Sequence, residues 1–115
     1  MDFKVEKHKR YTLIEIQREK LDTHLAPNVK SELVLISGNG ESNIVMDLSN
    51  VRYCDSSGLS AILVANRLSK NAGGVFVLTG LNPSVERLIT ISHLNKVITI
   101  TDTLEQAENK IPASG

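Results

Sequence analysis

The stretch from residue 45 to residue 70 constrains the fold most, because it joins a strand, a polar turn and a helix without a break. Residues 44–48 form an apolar run bounded by polar residues, which is typical of a buried strand. Beyond the turn, apolar side chains recur three and four positions apart and form one stripe along a helix. These residues are Leu59, Ile62, Leu63, Ala65 and Leu68. The turn is therefore predicted to lie at a helix N-terminus.

Four residues make up this turn: Asp55, Ser56, Ser57 and Gly58. The first backbone N–H groups of a helix have no intrahelical partner, and the helix dipole favours negative charge there. A serine at such a place can cap the helix or carry a phosphate. Asp55 or Ser56 suffices as a cap, which would leave Ser57 exposed. Asp55 itself is open to a second role, orienting the serine hydroxyl or meeting a partner.

Hydrophobic periodicity places the other elements on both sides of this stretch. Strands are predicted over residues 3–7, 11–17, 75–78 and 97–101, and helices over residues 22–36, 84–91 and 102–110. Ser84 is expected to cap the second of these helices. The order β-β-α-β-α-β-α-β-α predicts a single-domain α/β fold, with a mixed, mostly parallel sheet covered by helices. We expect the domain to span residues 1–111 and a C-terminal tail to follow over residues 112–115.

Composition narrows the classes of function. The 115 residues are 41% hydrophobic but only 3% aromatic, so the core must be aliphatic. Few aromatic residues argue against a base-stacking nucleic-acid platform. The formal net charge is zero, so strong attraction to nucleic acid or to an anionic membrane is not expected.

The single cysteine, Cys54, excludes an internal disulfide and a CxxC redox pair, and it is predicted to be a small buried hydrophobic residue. The three histidines, His8, His24 and His93, lack the spacing of metal ligands. The protein is expected to have no cofactor of its own. No apolar run approaches the ~18 residues of a membrane span, and no signal peptide opens the sequence. These features predict a cytoplasmic protein.

Three further blocks accompany the turn motif DSSGL at residues 55–59. They are GGVFVLTGL at residues 73–81, PSVERL at residues 83–88 and SHLNKV at residues 92–97. Together with the order of elements, these blocks resemble the STAS family over nearly the whole chain. The resemblance is strongest to the bacterial anti-sigma factor antagonists.

The resemblance implies a phosphorylation-controlled switch rather than an enzyme. It assigns the phosphate to Ser57, the second serine of the motif. It implies two partners: a serine kinase of the histidine-kinase-like ATPase type, which doubles as the anti-sigma factor, and a metal-dependent serine phosphatase. The unphosphorylated protein would bind the kinase and free a sigma factor, and the phosphorylated protein would release it. The residues implied in partner binding are Asp55, Ser56, Ser57, Gly58, Leu59 and Ser60.

Two positions depart from the family pattern. His93 stands where the family usually has glycine, at a turn in which a positive φ is expected. Ser60 replaces a small Gly or Ala close to Ser57, where it would crowd a partner.

Three other functions compete with the switch. A serine nucleophile would draw on Ser57, Asp55 and His93, but a nucleophile elbow requires glycine where Asp55 stands. A receiver domain phosphorylated on Asp47 would need further acidic residues from the first strands to hold a cation, and residues 3–17 offer no suitable pair. A STAS domain that serves as an unmodified scaffold or as a transporter-associated subunit stays open.

Overall fold

The molecule is built on a five-stranded sheet with helices on both faces. The computed structural model describes residues 2–112. In chain order the elements are β1 (Phe3–Lys7), β2 (Thr12–Ile16), β3 (Lys20–Leu21), α1 (Ala26–Gly38), β4 (Ile44–Asp47), β5 (Tyr53–Cys54), α2 (Ser56–Asn71), β6 (Phe76–Thr79), α3 (Pro83–Ile91), a 3-10 turn (Leu94–Lys96), β7 (Thr99–Thr101) and α4 (Leu104–Asn109).

The strand order of this sheet is β1-β2-β4-β6-β7. Only β1 runs antiparallel to its neighbour, and the other pairs are parallel. Parallel strands need crossover connections, which α1, α2 and α3 and the segments around them provide. The predicted α/β fold with a mixed, mostly parallel sheet is confirmed.

Two hydrophobic clusters form because side chains alternate between the two faces of the sheet. The larger one joins the inner faces of α1, α2 and α3 to strand residues such as Ile14, Met46 and Leu78, all fully buried. The smaller one lies on the opposite face, where Ala107 of α4 covers Val45 and its neighbours. The core is largely aliphatic, as the composition predicts.

The pair β3 and β5 was not predicted. These strands form a separate two-stranded parallel sheet in which Lys20 pairs with Tyr53 and Leu21 with Cys54. The helix α1 accordingly begins at Ala26, later than the predicted start at residue 22. The Asp22 carboxylate accepts the backbone N–H of His24 at 3.0 Å, which holds the preceding residues in a turn.

Ser84 does not cap α3, contrary to the prediction. The N-cap position belongs to Asn82, and Ser84 lies inside the helix. Its hydroxyl instead donates to the carbonyl oxygen of Arg52 at 2.7 Å. Asn82 donates to the carbonyl oxygen of Val51 at 2.6 Å, so the start of α3 is fastened to the segment that leads into β5.

The expected positive φ at position 93 is confirmed. His93 has φ 61° and lies in the left-handed region between α3 and the 3-10 turn. It is the only non-glycine residue with a positive φ among residues 2–112.

No helix in the described part of the chain is long and apolar enough to cross a membrane. Of the predicted tail, Pro112 is exposed, and residues 113–115 lie outside the described residues. The domain limits of 1 and 111 stay a prediction.

Candidate functional site

The turn at residues 55–58 is held in place by the small sheet of β3 and β5. The Leu21 carbonyl oxygen in β3 accepts the backbone N–H of Asp55 at 3.4 Å. β3 also leads into the loop before α1, so this loop and the start of α2 lie side by side. The site is therefore built from two segments that are far apart in the sequence.

Asp55 is the N-cap of α2. Its backbone is extended, and its Oδ1 accepts the Gly58 N–H at 3.0 Å. This hydrogen bond, with weaker contributions from the backbone N–H groups of Thr23 and Ser57, holds the pKa of Asp55 below its usual range. The cap role anticipated from the sequence is thus filled by Asp55, and neither serine is needed for it.

Replacing Asp55 tests this cap. Asp55→Ala is expected to lower the melting temperature by a few degrees. Asp55→Asn should lower it less, because asparagine keeps an oxygen acceptor. The folded-state pKa of Asp55 lies below its unfolded value of about 3.9. Its charge therefore stabilises the fold above about pH 4, and this stabilisation is lost as the pH falls through the lower folded-state pKa.

Thermal unfolding of wild type and Asp55→Asn between roughly pH 7 and pH 2 measures this effect. The difference in melting temperature between wild type and Asp55→Asn is expected to shrink toward the acid end of this range. An advantage that stays constant with pH, or an Asp55→Ala variant that melts like wild type, would contradict the assignment.

The two serines of the turn differ in their surroundings. Ser56 is exposed, and no hydrogen bond engages its hydroxyl within residues 2–112. Ser57 is half-buried, and its Oγ lies 3.1 Å from Thr23 Oγ1. Ser57 is thus less exposed than the sequence predicts.

Thr23 links the two segments of the site and was not predicted to belong to it. Its hydroxyl donates to Asp55 Oδ2 at 3.4 Å and also contacts Ser57. The sequence places Thr23 in a polar segment with no motif, and the contact spans 34 residues. No local pattern reveals it.

Gly58 packs closely against the neighbouring backbone. It is buried, and a Cβ placed on it would lie 2.2 Å from the Leu21 carbonyl oxygen and 2.6 Å from Cys54 Sγ. Cys54 is buried as predicted, and burial, with a smaller contribution from the Asp55 charge, raises the pKa of its thiol to about 12. The first turn of α2 therefore lies directly on the backbone of β3.

Leu59 and Ser60 complete the predicted partner-binding set. Leu59 is half-buried and packs against the main core, and Ser60 is half-buried on the same helix. The six predicted residues thus lie together at the N-terminal end of α2, but they differ in how much surface they expose. Ser56 is the exposed member of the set.

Beside the turn lies a concavity of about 300 Å³, lined by Lys20, Asp22, Thr23, His24, Tyr53 and Asp55. A larger one of about 590 Å³ shares Lys20, Asp22 and His24 with it. Tyr53 is 52% exposed although it is a large aromatic residue, and such residues often anchor protein interfaces. The accessible surface around Ser56 and Ser57 therefore extends beyond residues 55–59 and includes Tyr53 and the residues that line the smaller concavity.

The geometry gives little support to the competing sites, which are a serine nucleophile at Ser57 and a phosphorylated aspartate at Asp47. Ser57 is hydrogen-bonded to a threonine rather than to a histidine. Asp47 accepts the backbone N–H of Ser49 at 2.8 Å and so shapes the turn after β4. In the described part of the chain, no three His, Cys, Asp or Glu side chains are grouped so that they could hold a metal ion.

Comparison with known proteins gives consistent results. The family model described as "STAS domain" matches residues 2–107. An anti-sigma F factor antagonist from Paenibacillus polymyxa is 31% identical over 103 residues, which cover 89% of this chain and 87% of the relative.

Two solved structures share the fold. An anti-sigma factor antagonist from Mycobacterium paratuberculosis superposes with a TM-score of 0.82 at 24% identity, covering 95% of this chain and 92% of its own. The Bacillus cell fate determinant SpoIIAA in its phosphorylated form superposes with a TM-score of 0.73 at 20% identity, covering 94% and 97%.

Proposed function

Because the chain belongs to the STAS domain family, we propose that it is an anti-sigma factor antagonist that switches partners through phosphorylation. In its unphosphorylated form it binds a serine kinase that is also the anti-sigma factor, and a sigma factor is freed. The phosphorylated form releases the kinase. The observation that carries this proposal is a pair of serines at the start of α2 that the capping of the helix does not require.

The proposal makes this chain a substrate and a binding partner rather than a catalyst. A kinase of the histidine-kinase-like ATPase type would supply ATP and metal, and a metal-dependent serine phosphatase would reverse the step. The relative from Paenibacillus polymyxa carries the name of an anti-sigma factor antagonist, and SpoIIAA is known in a phosphorylated form. Both support the proposal, and the switch would operate in the cytoplasm.

Two observations bear on which serine of the pair accepts the phosphate, and they favour different residues. The family resemblance favours Ser57. The exposure of the side chains favours Ser56, whose hydroxyl is free, whereas the Ser57 hydroxyl is engaged by Thr23. Either serine would place the phosphate in the first turn of α2, on the surface that holds Tyr53 and the concavity.

A phosphate here would act on the interface and not on the fold. Phosphoserine adds roughly −1.5 to −2 charges at neutral pH. At a helix N-terminus this charge is locally favourable, so the domain should stay folded. A partner that buries the turn would instead face an unpaired charge at its surface, which weakens the complex.

The first test is site-resolved phosphopeptide mass spectrometry of the protein from its own cells, growing and stressed. We expect one phosphate on the peptide that contains Ser56 and Ser57, with an occupancy that changes between the two conditions. Abundant protein without phosphate on either serine in both conditions would overturn the switch and favour an unmodified scaffold.

A further inference from the structure

Thr23 lies within hydrogen-bonding distance of both Asp55 and Ser57. The Asp55 carboxylate can only accept a hydrogen bond, and the Thr23 hydroxyl can donate to its Oδ2 across 3.4 Å. Either hydroxyl can donate across the contact of 3.1 Å between Thr23 Oγ1 and Ser57 Oγ, and Ser57 is the donor when the Thr23 proton points to Asp55. The three side chains form one chain of hydrogen bonds that ends on a carboxylate.

This chain of hydrogen bonds affects phosphoryl transfer to Ser57. The acceptor Oγ attacks the γ-phosphorus of ATP, the new O–P bond forms as the bond to ADP breaks, and the hydroxyl proton passes to a base of the kinase. Ser57 must give up its hydrogen bond to Thr23 before its Oγ can turn toward ATP. Ser56, one residue earlier, is exposed and has no such bond to break within residues 2–112.

We propose that Thr23 is a positioning residue that determines which serine of the pair receives the phosphate, by holding the Ser57 hydroxyl and so disfavouring its phosphorylation relative to Ser56. The inference rests on the proposed function, since it concerns the same phosphoryl transfer. It adds a specificity-determining residue from a segment outside the turn motif.

The test is the ratio of phosphate on Ser57 to phosphate on Ser56, measured by mass spectrometry on the full chain expressed in its own cells. Thr23→Val removes the hydroxyl and keeps the side-chain shape. We expect it to raise this ratio about two- to tenfold, the factor that a typical net hydrogen bond represents. Thr23→Ser restores the hydroxyl and should restore the wild-type ratio.

Two controls separate this role from a structural one. Thr90→Val changes an exposed threonine on α3 and should leave the ratio unchanged. Thermal unfolding of Thr23→Val, Ser57→Ala and the double variant reports the hydrogen bond independently. If the bond forms, the double variant should lose less stability than the sum of the losses in the two single variants. Thr23→Ala is the substitute if Thr23→Val unfolds.

A ratio that stays constant or falls in Thr23→Val would overturn the inference, as would wild-type phosphate on Ser57 alone. In both cases the proposed function would stand. Wild type without phosphate on either serine would overturn the proposed function first, and the inference with it.

Discussion

Gly58→Ala is expected to destabilise the domain by about 3 kcal/mol, the upper part of the range for overpacking a core. The added Cβ would lie 2.2 Å from the Leu21 carbonyl oxygen, a backbone atom, so α2 and β3 would have to move apart. For a domain of this size the loss corresponds to a fall in melting temperature of roughly 10–15 °C. Thermal and urea unfolding measure it directly.

Gly38→Ala is the matched control. Gly38 is the last residue of α1, and a Cβ placed on it would meet no heavy atom within 4 Å. Alanine there should be neutral or stabilising by about 0.4–1 kcal/mol, because it restricts the unfolded chain. Equal stability of Gly58→Ala and Gly38→Ala would contradict the close packing of α2 on β3.

Introducing a negative charge at the serine pair is expected to weaken kinase binding strongly while the fold persists. An unpaired charge buried at an interface costs on the order of 2–5 kcal/mol. This corresponds to roughly 30-fold to several-thousand-fold in affinity. Ser57→Asp and Ser56→Asp should therefore bind the kinase less tightly and melt within about 2 °C of wild type, since the helix dipole accommodates the charge.

Ser31→Asp provides the charge-matched control, because Ser31 is an exposed serine in the middle of α1. It adds the same charge away from the serine pair and should bind like wild type. If Ser57→Asp and Ser56→Asp unfold the domain, and binding falls only in parallel with the folded fraction, the interface mechanism is wrong.

Periodicity was sufficient to predict most of the fold. Continuous apolar runs marked β4 and β6, and the three- and four-residue spacing marked α2, because burial on one face imposes these patterns. The positive φ at His93 followed from the departure from glycine at that position. These predictions depend on local pattern or on family resemblance.

Contacts between distant segments were not predictable in the same way. The strands β3 and β5 have two residues each, too short to show a period, and their pairing depends on tertiary packing. For the same reason the role of Gly58 is invisible until Leu21 is placed against it. Thr23 joins the site only because this small sheet brings its loop to the start of α2.

We propose that phosphate on the serine pair releases the kinase. The most direct measurement is calorimetric titration of the kinase with the chain in three forms: unphosphorylated, phosphorylated by that kinase, and dephosphorylated again. We predict tight binding of the first and third forms, and a loss of at least about 30-fold for the second, by the same interface cost. Equal affinity of all three forms would contradict the account.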